Sequence, residues 1–231
     1  EACCNAAIMT IQSGIPIARI ELLDPMQVRA VNLYSKLSLR EVPMLFLEFH
    51  GTEAGVAEQS ERFGEIAKEL GGGPFEWTTR PEERTRLWEA RHNAAFATVT
   101  LRPGASLVAT DVCVPLSRLA ECVTETQRDI EASKLIAPIV GHIGDGNFHL
   151  TLLVDRESPA EVANAEAFSH RLVERALAMD GTCTGEHGVG QGKMKYLLEE
   201  HGAPALAAMR SLKQAFDPLN IMNPGKIVAL S

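Results

Sequence analysis

Two apolar runs joined by a glycine-dense turn constrain this chain more than any other feature. Leu135 to Asp155 reads as two strands broken at Gly144-Asp145-Gly146-Asn147. Asp-Gly between two such runs is a strong hairpin signal. Apolar strands of this kind need further strands to pair with and helices to cover them, and the rest of the chain offers both. Residues 17–24 alternate, with Ala18, Ile20 and Leu22 on one face and Arg19 and Glu21 on the other, as a half-buried strand does. Further strands are expected at Pro43 to His50, Phe75 to Thr78 and Ser106 to Val114.

Helical patterns lie between the strands. One fills the start of the chain and stops at Gly14-Ile15-Pro16, and a second opens at Pro25 and runs to about Leu37. A third spans Thr52 to about Leu70 and ends at Gly71-Gly72-Gly73-Pro74. A fourth begins near Pro81 and carries Trp88 and Arg91, and a fifth follows Pro115 with Ser117 as its cap. Ser158 to Met179 is amphipathic, with Val162, Ala165, Phe168 and Leu172 on one stripe. A last helix has Leu206, Met209, Leu212 and Phe216 in phase. Strands, hairpins and helices mix without a repeat or a low-complexity linker. The expected fold is α+β, an antiparallel sheet flanked by helices.

Composition narrows the function. The chain has 231 residues, and a net charge of -8 argues against a nucleic-acid surface, which needs clustered Lys and Arg. No apolar run approaches the roughly 20 residues of a membrane span. The five cysteines form no C-x-x-C pair and fit neither a zinc ribbon nor a disulfide scaffold, so they read as reduced, mostly buried thiols. The chain opens at Glu1-Ala2-Cys3-Cys4-Asn5, without Met or a signal-peptide pattern. That start reads as a cut through a longer polypeptide, with a processed terminus as the alternative.

The chemistry concentrates in Gly141-His142-Ile143-Gly144-Asp145-Gly146-Asn147-Phe148-His149. A turn at Asp145-Gly146 lets His142 and His149 converge across the hairpin, where two imidazoles make a rigid half of a metal site. Glu186, in Gly185-Glu186-His187-Gly188, is the candidate third ligand. Two His and one carboxylate leave coordination positions open for water or substrate. A single His is more often a hydrogen-bonded core or surface residue. Here three of the seven lie in two glycine-dense segments, where backbone can approach a ligand. Asp145 needs no role beyond its turn, and His50 and His92 read as structural. Gly188-Val189-Gly190-Gln191-Gly192-Lys193 is not a P-loop, because His187 and Met194 stand where that pattern needs Gly and a hydroxyl, and it lacks both the G-x-G-x-x-G spacing and the preceding strand of a dinucleotide fingerprint. Arg91 is either a solvated Arg or a fork for a substrate carboxylate.

Several stretches together resemble the C-terminal half of the FAD-linked oxidases of the vanillyl-alcohol-oxidase type, and within them cytochrome-linked D-lactate dehydrogenases and the flavoprotein subunit of glycolate oxidase. They are Leu87-Trp88-Glu89-Ala90-Arg91-His92-Asn93, Thr110-Asp111-Val112-Cys113-Val114-Pro115, the Gly141 to His149 segment, Gly181 to Gly188, Asp217-Pro218 and Asn223-Pro224-Gly225-Lys226. The likeness covers the chain from about residue 75 onward and is weaker before it.

That resemblance implies an FAD-dependent dehydrogenase oxidising a small D-2-hydroxy acid, D-lactate or glycolate, to the 2-oxo acid by hydride transfer to FAD. It implies that His142, His149 and Glu186 hold a divalent metal, Zn or Mn, and that His187 is the base. Arg91 would clamp the substrate carboxylate, Asn147 would line the substrate pocket, and Asn223 with Lys226 would approach the flavin. Residues 1–231 would form the substrate and metal domain, with FAD held mainly by an N-terminal FAD-binding domain absent from this chain. Implied partners are that domain, an electron acceptor such as a cytochrome, quinone or electron-transfer flavoprotein, and a second copy in a homodimer. The implied location is intracellular: cytoplasmic or peripheral to the inner membrane in a bacterium, mitochondrial in a eukaryote. Ala94, Ala95 and Ala109 stand where relatives that oxidise dicarboxylic acids carry polar groups, which points to a short monocarboxylic substrate. Two other readings are a flavin-independent metal hydrolase and a non-catalytic isolated domain; the second is expected of this chain alone, inactive as a fragment, with the dehydrogenase as its parent.

Overall fold

The computed structural model describes residues 1–73 and 75–230. Helix α1 (Ala2–Gln12) leads to strand β1 (Ile17–Leu23) and helix α2 (Pro25–Ser35). Proline in its first turn and the Asp24 carboxylate, which accepts the Gln27 amide at 2.7 Å, start α2. Strand β2 (Met44–Phe49) precedes α3 (Glu53–Glu69), which Thr52 caps through its hydroxyl at 3.2 Å. Then come α4 (Pro81–His92), α5 (Ala94–Thr98), β3 (Ser106–Ala109), β4 (Val112–Cys113) and α6 (Leu119–Ser133). The expected hairpin follows as β5 (Ile139–Gly141) and β6 (Asn147–Val154), and α7 (Pro159–Ala178) and α8 (Leu197–Phe216) complete the chain.

The strands form one six-stranded antiparallel sheet in the order β2-β1-β5-β6. On the far edge of β6, β4 pairs with its start and β3 with its end. Every residue of β6 is buried. Phe148, Leu150, Leu152 and Val154 enter a core shared with Ala7, Phe63, Val123, Phe168 and Leu172 of α1, α3, α6 and α7. Across the sheet, Leu23, Val140 and Phe46 pack against Val28, Val31, Ala90, Ala94 and Ala97 of α2, α4 and α5. Fully burying a side chain such as Phe148 or Phe168 contributes about 1.5–3 kcal/mol. The expected α+β fold is the observed one.

The second layer of helices explains the chief departure from the alternating pattern. In β1, Ile20, Glu21, Leu22 and Leu23 are all buried. Glu21 shares its face with Leu23, and that face is covered by α2 and α4 rather than by water.

Smaller differences have local causes. Phe75 to Thr78 forms no strand, because the Phe75 ring is occupied by Phe63, 5.2 Å away between centroids, and Phe49, 6.5 Å away. Pro74, expected at the end of α3, lies outside the described residues. The single strand expected at Ser106 to Val114 is interrupted at Thr110-Asp111, where Thr110 uses its own amide and hydroxyl on the Leu150 backbone, each at 2.9 Å. A 3-10 turn at Leu116–Arg118 precedes α6, so Ser117 does not cap it. In α8, non-helical Gly202 and Pro204 mark a kink. Its apolar stripe is buried only at Leu206, with Leu212 59% and Phe216 78% exposed.

Candidate active site

The hairpin turn places the histidines. Gly146 takes a φ of 77° to close it, and an added Cβ would strike the Val114 carbonyl. His149 sits within β6 opposite Val140, whereas His142 lies one residue past β5, in the turn rather than on a strand. Their rings approach edge to face, 6.0 Å between centroids. Glu186 and His187 come from the irregular segment after α7, brought close because Gly185 lies against the Asn147 amide where no Cβ fits.

Glu186 Oε1 is the common neighbour. It lies 2.8 Å from His149 Nε2, 3.6 Å from His142 Nε2 and 3.7 Å from His187 Nε2. Ligand atoms of His142, His149 and Glu186 fall within 4.8 Å of one another, the spacing a shared cation requires. The His187 ring stacks on His149, centroids 4.8 Å apart and planes 8° from parallel.

The tautomers follow from the other ring nitrogens. His149 Nδ1 faces the Thr110 carbonyl at 3.2 Å, which can only accept, so Nδ1 carries the proton. His149 Nε2 is then a lone-pair atom, buried and without a hydrogen-bond partner, facing a carboxylate. Burial lowers the His149 pKa, which disfavours the imidazolium that would relieve this contact. A cation shared by the two acceptors would relieve it, and the donor set fits a divalent metal.

His142 is held by Glu21, whose Oε1 accepts from Nδ1 at 2.6 Å. That hydrogen bond raises the His142 pKa, against the lowering effect of burial. The other Glu21 oxygen accepts from Arg91 Nε at 3.0 Å and Nη2 at 2.7 Å. Arg91, His142 and Glu21 line a cavity of about 690 Å³ with Trp88, Arg19 and Arg84. His142 and Glu186 also border a smaller space of about 290 Å³ with Asn147, Cys113 and Asp145.

Asp111 organises the loop from beneath. Its buried carboxylate accepts from Asn147 Nδ2 at 3.0 Å, Thr184 Oγ1 at 2.8 Å, the Glu186 amide at 3.1 Å and the His187 amide at 2.9 Å, with Lys193 Nζ at 3.3 Å. Burial alone would raise its pKa, but these donors outweigh it and hold Asp111 well below the ordinary carboxylate range. Asp111, His149 and His187 also lie close enough to share an ion, but the donors already occupy both Asp111 oxygens.

Among the residues singled out by sequence, His142, His149, Glu186, His187, Asn147 and Arg91 lie in this one region. Asn147 has its Oδ1 buried without a partner. Asn223 and Lys226 do not line either cavity; they sit in an exposed turn whose chain returns through the Ile227 amide to the Gly190 carbonyl at 2.8 Å. Ala94 is in the core behind the sheet, and neither Ala95 nor Ala109 lines either of these cavities. The sequence reading missed Glu21, Thr110, Asp111 and Lys193. Asp111 left a signal, a carboxylate inside an apolar run from Leu107 to Val114. Glu21 left none, since it occupies the polar face of an alternating strand. No disulfide links the five cysteines, and burial pushes the Cys122 and Cys183 thiols up to about 12. Among the described residues no helix is long and apolar enough to cross a membrane.

Known proteins are similar to this chain. A curated zebrafish protein, probable mitochondrial D-lactate dehydrogenase, is 47% identical over 98% of this chain and 46% of its own length. A mitochondrial D-lactate dehydrogenase (cytochrome) of Arabidopsis thaliana is 45% identical over 97% of this chain and 40% of its own. A glycolate oxidase subunit of Bacillus subtilis is 34% identical over 97% and 49%. The chain thus spans about half the length of the curated relatives it matches. The solved 4-ethylphenol oxidase of Gulosibacter chungangensis shares the fold, with a TM-score of 0.72 at 16% identity over 99% of this chain and 51% of that one. The vanillyl-alcohol-oxidase-type likeness seen in the motifs therefore extends to the architecture. The family model for FAD linked oxidases, C-terminal domain, matches residues 1–227, and the chain belongs to that family.

Proposed function

We propose that this chain is the substrate-and-metal half of a flavin-dependent dehydrogenase that oxidises D-lactate or glycolate to the 2-oxo acid. One observation carries the reading: three imidazole Nε2 atoms converge on Glu186 Oε1 beside a cavity that Arg91 lines. His142, His149 and Glu186 would hold Zn or Mn, and such an ion lowers the pKa of a hydroxyl bound to it. FAD, held mainly by an FAD-binding domain elsewhere in the same polypeptide, supplies the acceptor of two electrons.

The chain's own residues do the rest. Arg91 keeps the N–H groups that Glu21 leaves free for the substrate carboxylate. His187 Nε2, half exposed beside the ligands, accepts the hydroxyl proton. Asn147 Oδ1, buried and unpartnered, accepts a hydrogen bond from the substrate. Burial of His149 and Asp111 excludes water from the floor of the site.

The surface also fits a flavin partner. Gly188, Gly190 and Gly192 have open space where a Cβ would stand, and Asn223 and Lys226 lie in the turn tied to that segment. Exposed Phe216, Leu219, Ile221 and Met222 beside that turn are the face we assign to the FAD-binding domain, with a homodimer as the alternative occupant. A cytochrome, as named for the Arabidopsis relative, is the electron acceptor we favour over a quinone or an electron-transfer flavoprotein. We place the protein inside the cell, as the mitochondrial relatives are named to be. A flavin-free hydrolase would use the same ligands on water, but family membership favours the dehydrogenase.

The test joins this chain to its FAD-binding half and follows D-lactate and glycolate oxidation with Arg91→Met alongside. Loss of charged hydrogen bonds worth about 1.5–3 kcal/mol should raise KM about tenfold or more. An unchanged KM removes Arg91 from the substrate, and ester hydrolysis by this chain without flavin would favour the hydrolase.

A further inference from the structure

Glu21 connects two parts of the site that the proposed function treats separately. Its side chain is 6% exposed, yet both oxygens are occupied, one by His142 Nδ1 and the other by Arg91. The sheet explains how it gets there. Leu22 pairs with Gly141 across β1 and β5, so one residue further along the register sets Glu21 opposite His142. Meanwhile α4 lays Arg91 over the same face of the sheet, with Ala90 anchored in the apolar cluster beside it.

We propose that Glu21 is a positioning residue for both the metal ligand and the substrate clamp, an inference that rests on the metal site assigned above. A carboxylate can only accept, so it fixes His142 as the Nδ1–H tautomer with its Nε2 lone pair turned toward Glu186. On the other side Glu21 takes Nε and one N–H of Nη2, the side edge of the guanidinium. The end edge, formed by Nη1 and the rest of Nη2, has no hydrogen-bond partner among the described residues, and Arg91 lines the cavity, so this edge would serve as a fork of the kind that binds carboxylates. His149 is oriented the same way by a different acceptor, the Thr110 carbonyl. Glu21 is therefore a side chain through which the metal site and the carboxylate fork share a fixed geometry.

The isosteric change gives a sharp test. In Glu21→Gln the amide oxygen is drawn to the Arg91 donors, which turns the amide N–H₂ toward His142. That group can only donate, so His142 must switch to the Nε2–H tautomer and its ligand atom is blocked. Imidazole nitrogen NMR of this chain at alkaline pH, with His142 identified by its loss in His142→Gln, reads the tautomer directly. Zinc affinity is measured in parallel by competition with a chelator.

We expect Nδ1–H in the wild type and Nε2–H in Glu21→Gln, with zinc affinity about 10–100-fold weaker and the fold kept. Glu21→Ala should lose the single tautomer and weaken zinc comparably. An Nε2–H signal in the wild type overturns the proposal without any variant, as does a Glu21→Gln protein with unchanged tautomer and zinc affinity. If the wild type shows Nδ1–H and the variant switches, but neither binds zinc, Glu21 keeps its orienting role and the metal assignment alone fails.

Discussion

Glu186 Oε1 lies 2.8 Å from His149 Nε2, and the two do not hydrogen bond. With the His149 proton placed on Nδ1 by the Thr110 carbonyl, the buried, unpartnered Nε2 is a lone-pair atom beside the half-exposed Glu186 carboxylate. Such a contact is unfavourable on its own, and burial opposes the protonation that would relieve it. We propose that a cation shared by His142, His149 and Glu186 relieves it.

His187 stacks on His149 without belonging to that ligand set. In the enzyme joined to its FAD-binding half, His187→Gln should lower kcat about 10²–10⁴-fold, the usual contribution of a positioned base. Zinc content should not change. Retained turnover would remove His187 from proton transfer, and lost zinc would make it a ligand.

Asp111 predicts an acid limb in stability. Its folded pKa is depressed below the unfolded value of about 3.9, so its contribution is present above about pH 4 and lost as pH falls below it. Asp111→Asn should flatten this limb in urea unfolding followed across pH. At neutral pH it should lose about 3–5 kcal/mol, because Lys193 and the loop amides lose a buried charged acceptor. An equally steep acid limb in the variant would assign it to other carboxylates.

Asp24 behaves in the opposite sense. Burial raises it to about 6, against the Gln27 amide, so the folded state binds the proton more tightly than the unfolded chain. The associated stability is complete below about pH 4 and is lost as pH rises through about 6. Asp24→Asn keeps an acceptor at the start of α2 and removes the buried charge. It should stabilise the protein at pH 7 by about 2 kcal/mol relative to its effect at pH 4. A loss at both pH values would mean that the charge itself holds the helix start.

The hairpin, the six strands apart from the break at Thr110-Asp111, and the larger helices were legible because periodicity and turn chemistry are local. The same locality explains the misses. Whether Glu21 faces water depends on α4, some seventy residues further along the chain, which no strand pattern can report. Leu212 and Phe216 carried a core pattern yet stand exposed, because periodicity marks an apolar face without saying what covers it. Phe75 satisfied its ring against Phe49 and Phe63 without joining the sheet. At the site, glycine-dense segments disclosed the histidines and Glu186, which project from irregular segments or, for His149, from the strand that leaves the turn. The residues that orient them, Glu21, Thr110 and Asp111, come from strands and from the break between strands, where polar groups are ordinarily read as surface.

The most direct measurement is the metal content of this purified chain by elemental analysis, for the wild type and for a His142→Ala, His149→Ala double variant. A shared site at His142, His149 and Glu186 predicts about one Zn or Mn per chain, lost in the double variant while the fold persists. Metal retained at the same level in the double variant, or absent from a folded wild type supplied with both ions, would contradict it.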